Sequence, residues 1–548
     1  MATAPHRSAA LALIRTDASS AIGLGHLRRC LSLAAALREL GAEVRFAVRA
    51  SDVDAVAIAA ADGFAAQVLA TPGAADGTAG GAADGGADSQ AADAQAFLAL
   101  WPDARPAWVV LDHYRLGAAW QACVRQHLHG QMATIDDLAD RPLDTDVLID
   151  HNLVPAPGHR ARYLAWLQRD PAAWLCGPRF ALLGPAYRAQ PAFVVAPMVR
   201  SIGIFLGGTD PAGLSAVALQ ACRSVAGFSG PVELVSTLAN PALAALRASV
   251  ASDPNASLTL DLPHLAGFFR RHDLQIGAGG GATWERCCVG VPTLTLCAAD
   301  NQRAVIPALQ ALGVLVSSAD NQVATVGTAL LGLINSQATR QALSEGGRAL
   351  VDGRGAQRVA VALLARSQRQ LTLHRVTPDD AHRLWCWRNH PATRAVSRQA
   401  EPIPWPAHQA WLARILAEPN RHLWLAHLHN TPVGLIRFEP LHQPLHGLPQ
   451  ATQQARHEVS LYLDPGLHGL GLGSLLLDAG EQALAACIGP TTVHAEVLAD
   501  NPASRRLFSA AGYRAASALT FTKTVAPSAS AAHSGGSVGS GAPQEPCP

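Results

Sequence analysis

The chain has 548 residues, 42 Lys and Arg against 41 Asp and Glu, 49% apolar and 15% charged residues. At about 100–150 residues per domain this predicts two to four domains with full hydrophobic cores. The formal net charge of +1 lacks the basic excess that nucleic-acid or anionic-membrane binding uses. Ten cysteines without a CxxC pair argue against a disulfide framework and a zinc ribbon. No run approaches the ~20 apolar residues of a membrane span. The short apolar stretch at the N-terminus reaches Arg15 and Asp17 with no cleavage site, so a cytoplasmic location is expected.

Residues 11–49 read as strand, glycine turn, helix and strand: LALIR, IGLGH, LRRCLSLAAALREL, then VRFAV after Gly41. Leu27, Cys30, Leu31, Ala34 and Leu37 repeat at the helical period. The stretch 71–93 is mostly Gly, Ala and Asp with almost nothing to bury, and a disordered surface insertion is expected there. Apolar strands ending in polar residues return at WVVLDHY (Trp108–Tyr114), MATIDDLAD and DVLIDHN; in open parallel sheets such ends line a ligand crevice. A second α/β block opens at SIGIFLGGTD (Ser201–Asp210) and continues through LQIGAGGGATWE and VPTLTLCAADNQ, with Cys287 and Cys288 as buried helix residues. Near Leu371 the pattern changes to strand, helix and an antiparallel meander of HLWLAHL, VGLIRF and HEVSLYL. The Ser-, Gly-, Ala- and Pro-rich stretch 526–548 is expected to be unfolded. The expected fold class is α/β: Rossmann-like lobes at 1–195 and 196–366, then a third domain of different architecture at 371–525.

Three glycine turns carry candidate chemistry. GLGH (Gly23–His26) lies between a strand and a helix start; it permits close approach of a phosphorylated ligand at Gly25 and sets His26 on the ligand rim, where an imidazole can take a proton from water. The competing reading is an ordinary strand-to-helix turn. GAGGGATWE (Gly277–Glu285) exposes the amides of Gly279, Gly280, Gly281 and Ala282 to a diphosphate, and Glu285, one turn on, can accept two ribose hydroxyls. No GKS or GKT follows, so this is no P-loop. Asn301 and Gln302 beyond the next strand strengthen the ligand-binding reading. GLHGLGLGS (Gly466–Ser474) precedes an apolar helix, and its amides can bind a cofactor pyrophosphate; a strand, Asn501 and a helix ending at Gly512 follow. The acids Asp17, Asp112, Asp136, Asp137 and Asp210 stand singly at strand ends with no HExxH or DxDxD-like run, so no metal is expected and most read as caps or hydroxyl-binding groups. His113 and Tyr114 can contact sugar.

The series RTDASSAIGLGH, VVLDHY, IDDLADR, GPRFALLGPAYR, FLGGTDP and GAGGGATWERCCVGVPTLTL followed by NQ resembles the UDP-sugar hydrolases of pseudaminic acid biosynthesis (PseG type), relatives of the MurG-like GT-B glycosyltransferases. Residues 371 to about 525 resemble GNAT N-acetyltransferases, and WCWRNHP (Trp385–Pro391) is similar to the acetyltransferase of the same pathway (PseH type). The first resemblance implies hydrolysis of UDP-2,4-diacetamido-2,4,6-trideoxy-β-L-altropyranose to UDP and free sugar, with His26 as base for a water attacking C1. Asp17, Gly25, Asp112 and Tyr114 would then line the substrate site. The leaving diphosphate would rest on Gly207, Gly208 and Gly279–Ala282, with Glu285, Asn301 and Gln302 nearby.

The second resemblance implies acetyl-CoA as co-substrate and the 4-amine of a UDP-4-amino-4,6-dideoxy sugar as acceptor. Its cofactor loop reads His468, Gly469, Leu470, Gly471, Leu472, Gly473 and Ser474, and His468 departs from the family's Arg or Gln at the first position. Leu461, Leu463 and Asn501 complete the cofactor set, and Glu458 is the candidate base. The Tyr that many members use as general acid falls at Phe508, which has no proton to give; Tyr513 matches a packing position instead. The reading is a bifunctional enzyme that uses a UDP-amino sugar, water and acetyl-CoA, without nucleic acid, membrane or metal. A glycosyltransferase, or a non-catalytic UDP-sugar-binding module serving the acetyltransferase, are the alternatives.

Overall fold

The computed structural model describes residues 9–70, 86–154, 157–441 and 456–527. Positions 71–85 of the expected insertion and 528–548 of the expected tail lie outside the described residues. The chain divides into two compact units, residues 1–360 and 361–548. Among the described residues no helix is long and apolar enough to cross a membrane.

The first unit holds two sheets, and every strand pair in both is parallel. Strands β1 (Leu11–Thr16), β2 (Glu43–Val48), β3 (Ala65–Val68), β4 (Trp108–Asp112), β5 (Gln131–Ile135), β6 (Val147–Asp150) and β7 (Ala173–Cys176) lie in the order β3-β2-β1-β4-β5-β6-β7. Strands β8 (Ile202–Phe205), β9 (Val232–Ser236), β10 (Ala256–Leu260), β11 (Leu274–Ala278), β12 (Thr293–Leu296) and β13 (Val316–Ser317) lie in the order β10-β9-β8-β11-β12-β13. The strands read as continuous apolar runs because helices cover both faces; β4, WVVLD, is buried at every position. The helix Gly25–Glu39 follows β1 and buries Leu27, Cys30, Leu31, Ala34 and Leu37, the stripe its sequence period predicts. This is the expected α/β class, a GT-B-like pair of Rossmann-like lobes. In each sheet the strand order reverses beside the first strand, at β1/β4 and at β8/β11, and ligand crevices open at the carboxyl ends of such reversals.

The second unit is a mixed sheet of β14 (Thr372–Arg375), β15 (His422–Leu428), β16 (Thr431–Pro440), β17 (Arg456–Leu463), β18 (Thr491–Glu496), β19 (Arg514–Ala515) and β20 (Thr520–Val525), ordered β14-β15-β16-β17-β18-β20-β19. All its pairs are antiparallel except β17 with β18, which pair in parallel over Arg456–Glu458 and Thr492–His494 and then separate. The helix Leu472–Ile488 lies close on β16: an added Cβ on Gly480 would stand 2.5 Å from Ile436.

One expectation is corrected. Residues 87–93 are not a disordered insertion but open the helix Ala87–Leu100. The first two turns are poor in apolar side chains; the helix is held by Ala94 and Phe97 in the core farther on and, at Asp93, by charge. Asp93, 2% exposed, takes Arg15 Nε at 3.0 Å and Nη2 at 2.9 Å, Trp120 Nε1 at 2.9 Å and Arg49 Nη2 at 2.5 Å. Arg15 is fully buried on β1 and its other partner is Asp17. A second buried acid, Asp150 at the end of β6, accepts from Asn152 N at 3.0 Å and from the Tyr163 hydroxyl at 3.3 Å. Burial pushes its carboxyl up to about 7, against the pull of the Asn152 amide and Arg162, with Asp137 and Asp136 pushing the same way as burial.

Two outcomes follow from these acids. Asp93→Ala leaves Arg15 with half of its charge partners, and should cost about 3–5 kcal/mol, read as an earlier denaturant midpoint for the first unit; a solvated linker at 87–93 would give no change. Asp150 binds its proton more tightly folded than unfolded, so its contribution is present below the unfolded pKa and is lost as pH rises through about 7. Asp150→Asn should therefore raise Tm relative to the parent at pH 8, with the gain shrinking toward pH 5 in a calorimetric pH series.

Candidate functional site

At the β1/β4 reversal the turn after β1 and the end of β4 bring His26 and Asp112 together. His26 is the second residue of its helix, 5% exposed, and its Nδ1 lies 2.6 Å from Asp112 Oδ1. Asp112 is fully buried. Burial alone would raise its carboxyl, but the Arg29 charge and the hydrogen bonds from Arg29 and His26 outweigh burial and hold it far below the carboxylate range. An ionised carboxylate only accepts, so the short contact assigns the proton to Nδ1 and leaves Nε2 with its lone pair. Nε2 makes no hydrogen bond among the described residues. Arg29, one turn after His26, grips Asp112 with Nε at 2.7 Å and Nη2 at 2.6 Å, and reaches Asp137 Oδ2 at 3.2 Å. The Tyr114 ring meets the His26 ring edge-on at 4.2 Å between centroids. The ring is therefore fixed on two sides, by a hydrogen bond and by an aromatic neighbour.

The same strand-end row contributes Asp137 and His151. Burial and the Arg29 charge push the His151 imidazole down to about 4, so it is neutral, and its Nδ1 is buried without a partner, as is Asp137 Oδ1. Asp137 is among the acids expected at strand ends, and His151 lies in the DVLIDHN strand end expected on the crevice rim, though nothing in the sequence assigns either to His26. Arg29 is not among the expected site residues, although it carries a signal, the spacing of one helical turn from His26. Asp17 already has partners: its carboxylate is engaged by Arg15, by the Arg49 amide at 2.7 Å and by His113 Nε2 at 3.2 Å. Gly25 has open space where a Cβ would stand.

At the β8/β11 reversal the two glycine loops emerge side by side. Gly207 has φ +105 and open space about it; the Gly208 carbonyl accepts from Thr237 N at 3.1 Å and Thr237 Oγ1 at 2.9 Å. Asp210 caps the following helix through Leu214 N and Ser215 N, one of the caps anticipated among the acids. After β11 the glycines divide by role. Gly279 admits Ile306, 2.7 Å from an added Cβ, whereas Gly281 faces open space at the start of the helix Ala282–Val289. Gln302 ties the loop together: its Oε1 accepts from Gly279 N at 3.1 Å and Ala298 N at 3.0 Å. Asn301 is exposed in the turn Asp300–Gln302. Burial pushes Glu285 up to about 7 against a hydrogen bond from Tyr187, and its Oε2 is buried without a partner, which suits a carboxyl awaiting hydroxyls. Cys287 is buried and Cys288 half-buried on this helix.

In the second unit β17 runs on past its pairing with β18, so Val459–Leu463, including Leu461 and Leu463, has β16 on one side and a gap on the other. Gly469 (φ +81) and Gly471 (φ +82) hold left-handed turns closed to most side chains, with open space at both. The helix amides beginning at Leu472 face outward from this turn, and Ser474 Oγ donates to the Gly471 carbonyl at 3.0 Å. The free strand edge, the turn of His468–Ser474 and a long helix start fit an elongated amide ligand ending in a diphosphate. Asn501 caps the following helix, its Oδ1 accepting from Ser504 N at 3.0 Å. Glu458 is engaged by Arg398 at 2.6 Å, and Arg398 also holds Glu496 at 2.7 Å. Phe508 is buried against Tyr513 and Phe521.

Comparison with known proteins adds the following. Residues 383–513 match the Acetyltransferase (GNAT) family. The spore coat polysaccharide biosynthesis protein SpsG of Bacillus subtilis (strain 168) is 29% identical over 192 residues, 34% of this chain, and the chain spans 57% of that relative's length. A solved structure described as a putative UDP-N-acetylglucosamine 2-epimerase from Listeria monocytogenes aligns over 66% of this chain and 98% of its own, at 14% identity and a TM-score of 0.47. The MnaA-UDP co-structure from S. aureus aligns over 66% and 97%, at 11% identity and a TM-score of 0.48. The chain thus joins two parallel-sheet lobes to a domain that matches the Acetyltransferase (GNAT) family over residues 383–513.

Proposed function

We propose that the first unit hydrolyses a UDP-2,4-diacetamido-2,4,6-trideoxy sugar, the β-L-altropyranose of pseudaminic acid biosynthesis, and that the GNAT domain acetylates the 4-amine of its UDP-4-amino precursor. The observation that carries the hydrolase half is the His26 Nδ1 contact with buried Asp112 at 2.6 Å, which presents Nε2 as a fixed base at a sheet reversal. Water would give its proton to Nε2 as its oxygen bonds C1, and the C1–O bond would break with its electron pair leaving on UDP. Attack from the face opposite the nucleotide inverts C1. Amides at Gly207, Gly208 and Gly280–Ala282 would receive the charge that develops on the departing diphosphate, and Glu285 the ribose. The similarity to a polysaccharide biosynthesis protein supports a nucleotide-sugar role for this unit.

In the GNAT domain the acceptor amine would attack the thioester carbonyl and CoA would leave as the thiolate. Proton removal from the amine falls to Glu458, provided the acceptor draws Arg398 away from it. No hydroxyl stands at Phe508 to protonate the sulfur, and the Tyr513 hydroxyl is buried. The thiolate then takes its proton from solvent.

Incubation of the full chain with the UDP-4-amino sugar and acetyl-CoA in oxygen-18 water tests both halves. Label on the released sugar is the expected result; label on UDP would place attack at phosphorus and remove His26 from its role. His26→Gln, which keeps the fold and loses the base, should lower UDP release by about 10²–10⁴-fold with acetylation unchanged. Gly473 has Leu507 at an ordinary 3.5 Å from an added Cβ, so Gly473→Ala should bind acetyl-CoA normally, whereas Gly473→Glu should weaken it at least about tenfold by calorimetry through charge repulsion.

A further inference from the structure

We infer that Arg286 is a built-in counter-charge for the ligand of the Gly279–Ala282 loop, an unpaired buried cation that selects a nucleoside diphosphate over a neutral nucleoside. The inference rests on the diphosphate reading of that loop and adds a positioning residue to it.

Arg286 is 1% exposed on the helix that the glycine loop starts. Its side chain folds back beneath the loop, where Nη2 donates to the Ala278 carbonyl at 2.6 Å and to Thr283 Oγ1 at 3.2 Å. Nε and Nη1 are buried without partners. No carboxylate among the described residues lies within ion-pair distance of it. The other deeply buried arginines of this unit are met differently. Arg15 has Asp17 and Asp93, Arg29 has Asp112 and Asp137, and Arg340, also without an acid, donates to four backbone carbonyls. Arg286 alone of these has five N–H groups and two acceptors. A guanidinium does not shed its proton at neutral pH, and burial lowers this one only to about 10, so a full positive charge stands in the interior.

Its place indicates the charge it awaits. An added Cβ on Gly277 would fall 2.3 Å from Nη1, so the guanidinium occupies the space that this glycine leaves open on β11. Gly277 pairs with Phe205 on β8, and the two strands lead directly into the glycine loops at 279–281 and 207–208. The cation therefore lies at the base of the strand pair that leads into both loops. At 1% exposure its charge is weakly screened, so an anion held by those loops would feel it strongly. The first glycine of GAGGG thus serves the arginine, and the later ones the ligand.

Calorimetric titration of the full chain with UDP and with uridine tests this, alongside Arg286→Met and Arg286→Lys. The methionine variant should bind UDP about 30-fold or more weakly, bind uridine as the parent does, and melt higher than the parent without ligand. The lysine variant, which keeps the charge, should retain UDP affinity within about fivefold. UDP affinity within about twofold of the parent in the methionine variant overturns the role of Arg286, as does an equal loss for uridine. A parent that binds uridine and UDP equally overturns the diphosphate reading of the loop itself, which separates the two failures. Arg286→Gln gives the same comparison where the methionine variant does not fold.

Discussion

A carboxylate sealed at the end of β4 is the constraint around which the first lobe is organised. Asp112 has no water to solvate it, so it stays ionised only because Arg29 and His26 meet both of its oxygens. That requirement fixes the helix Gly25–Glu39 over the sheet at the register that brings both residues to β4. It also fixes the tautomer of His26, because an acceptor at Nδ1 can be satisfied only by a proton there. Structural electrostatics and the presentation of a base at Nε2 are thus one arrangement. The Arg15, Asp17, Asp93 and Arg49 group shows the same logic used for stability alone, a short distance along the same strand ends.

The two lobes share a topology and treat buried charge in opposite ways. In the first, the fully buried Arg15 and the largely buried Arg29 each find two carboxylates within the lobe. In the second, Arg286 is left under-satisfied directly beneath a loop of free amides, and Glu285 on the same turn is held near half-protonation with one oxygen unmet. Groups left short of partners in an otherwise paired interior are the ones a polar ligand can satisfy.

Much of this was legible in the sequence where a local rule applied. The helical stripe after GLGH, the glycine punctuation of both lobes and the meander of the third domain each follow from short-range periodicity, and the elements appear where that periodicity places them. His26 stood out because a histidine at a glycine turn between strand and helix is positioned by the turn. What the sequence hid depends on tertiary placement. Residues 87–93 lack an apolar period yet form a helix, because Asp93 anchors it to arginines far away in the chain. Asp17, Gln302 and Asn501 have the type and place of ligand groups, and each also holds structure: Asp17 binds Arg15, Gln302 the Gly279 amide and Asn501 the Ser504 amide three residues on. The strand-end pattern places Asp137 and His151 on the rim, but their position beside His26 comes from the order β4-β5-β6, which no local pattern encodes.

Gly277 and Arg286 are a steric pair: one exists as a hole that the other fills. A lineage in which the guanidinium is replaced by a shorter side chain would be left with a void under β11, and a methyl group at 277 would then be welcome instead of forbidden. The two positions are therefore expected to drift together across relatives, a correlated exchange that any search scoring the glycine loop column by column would pass over.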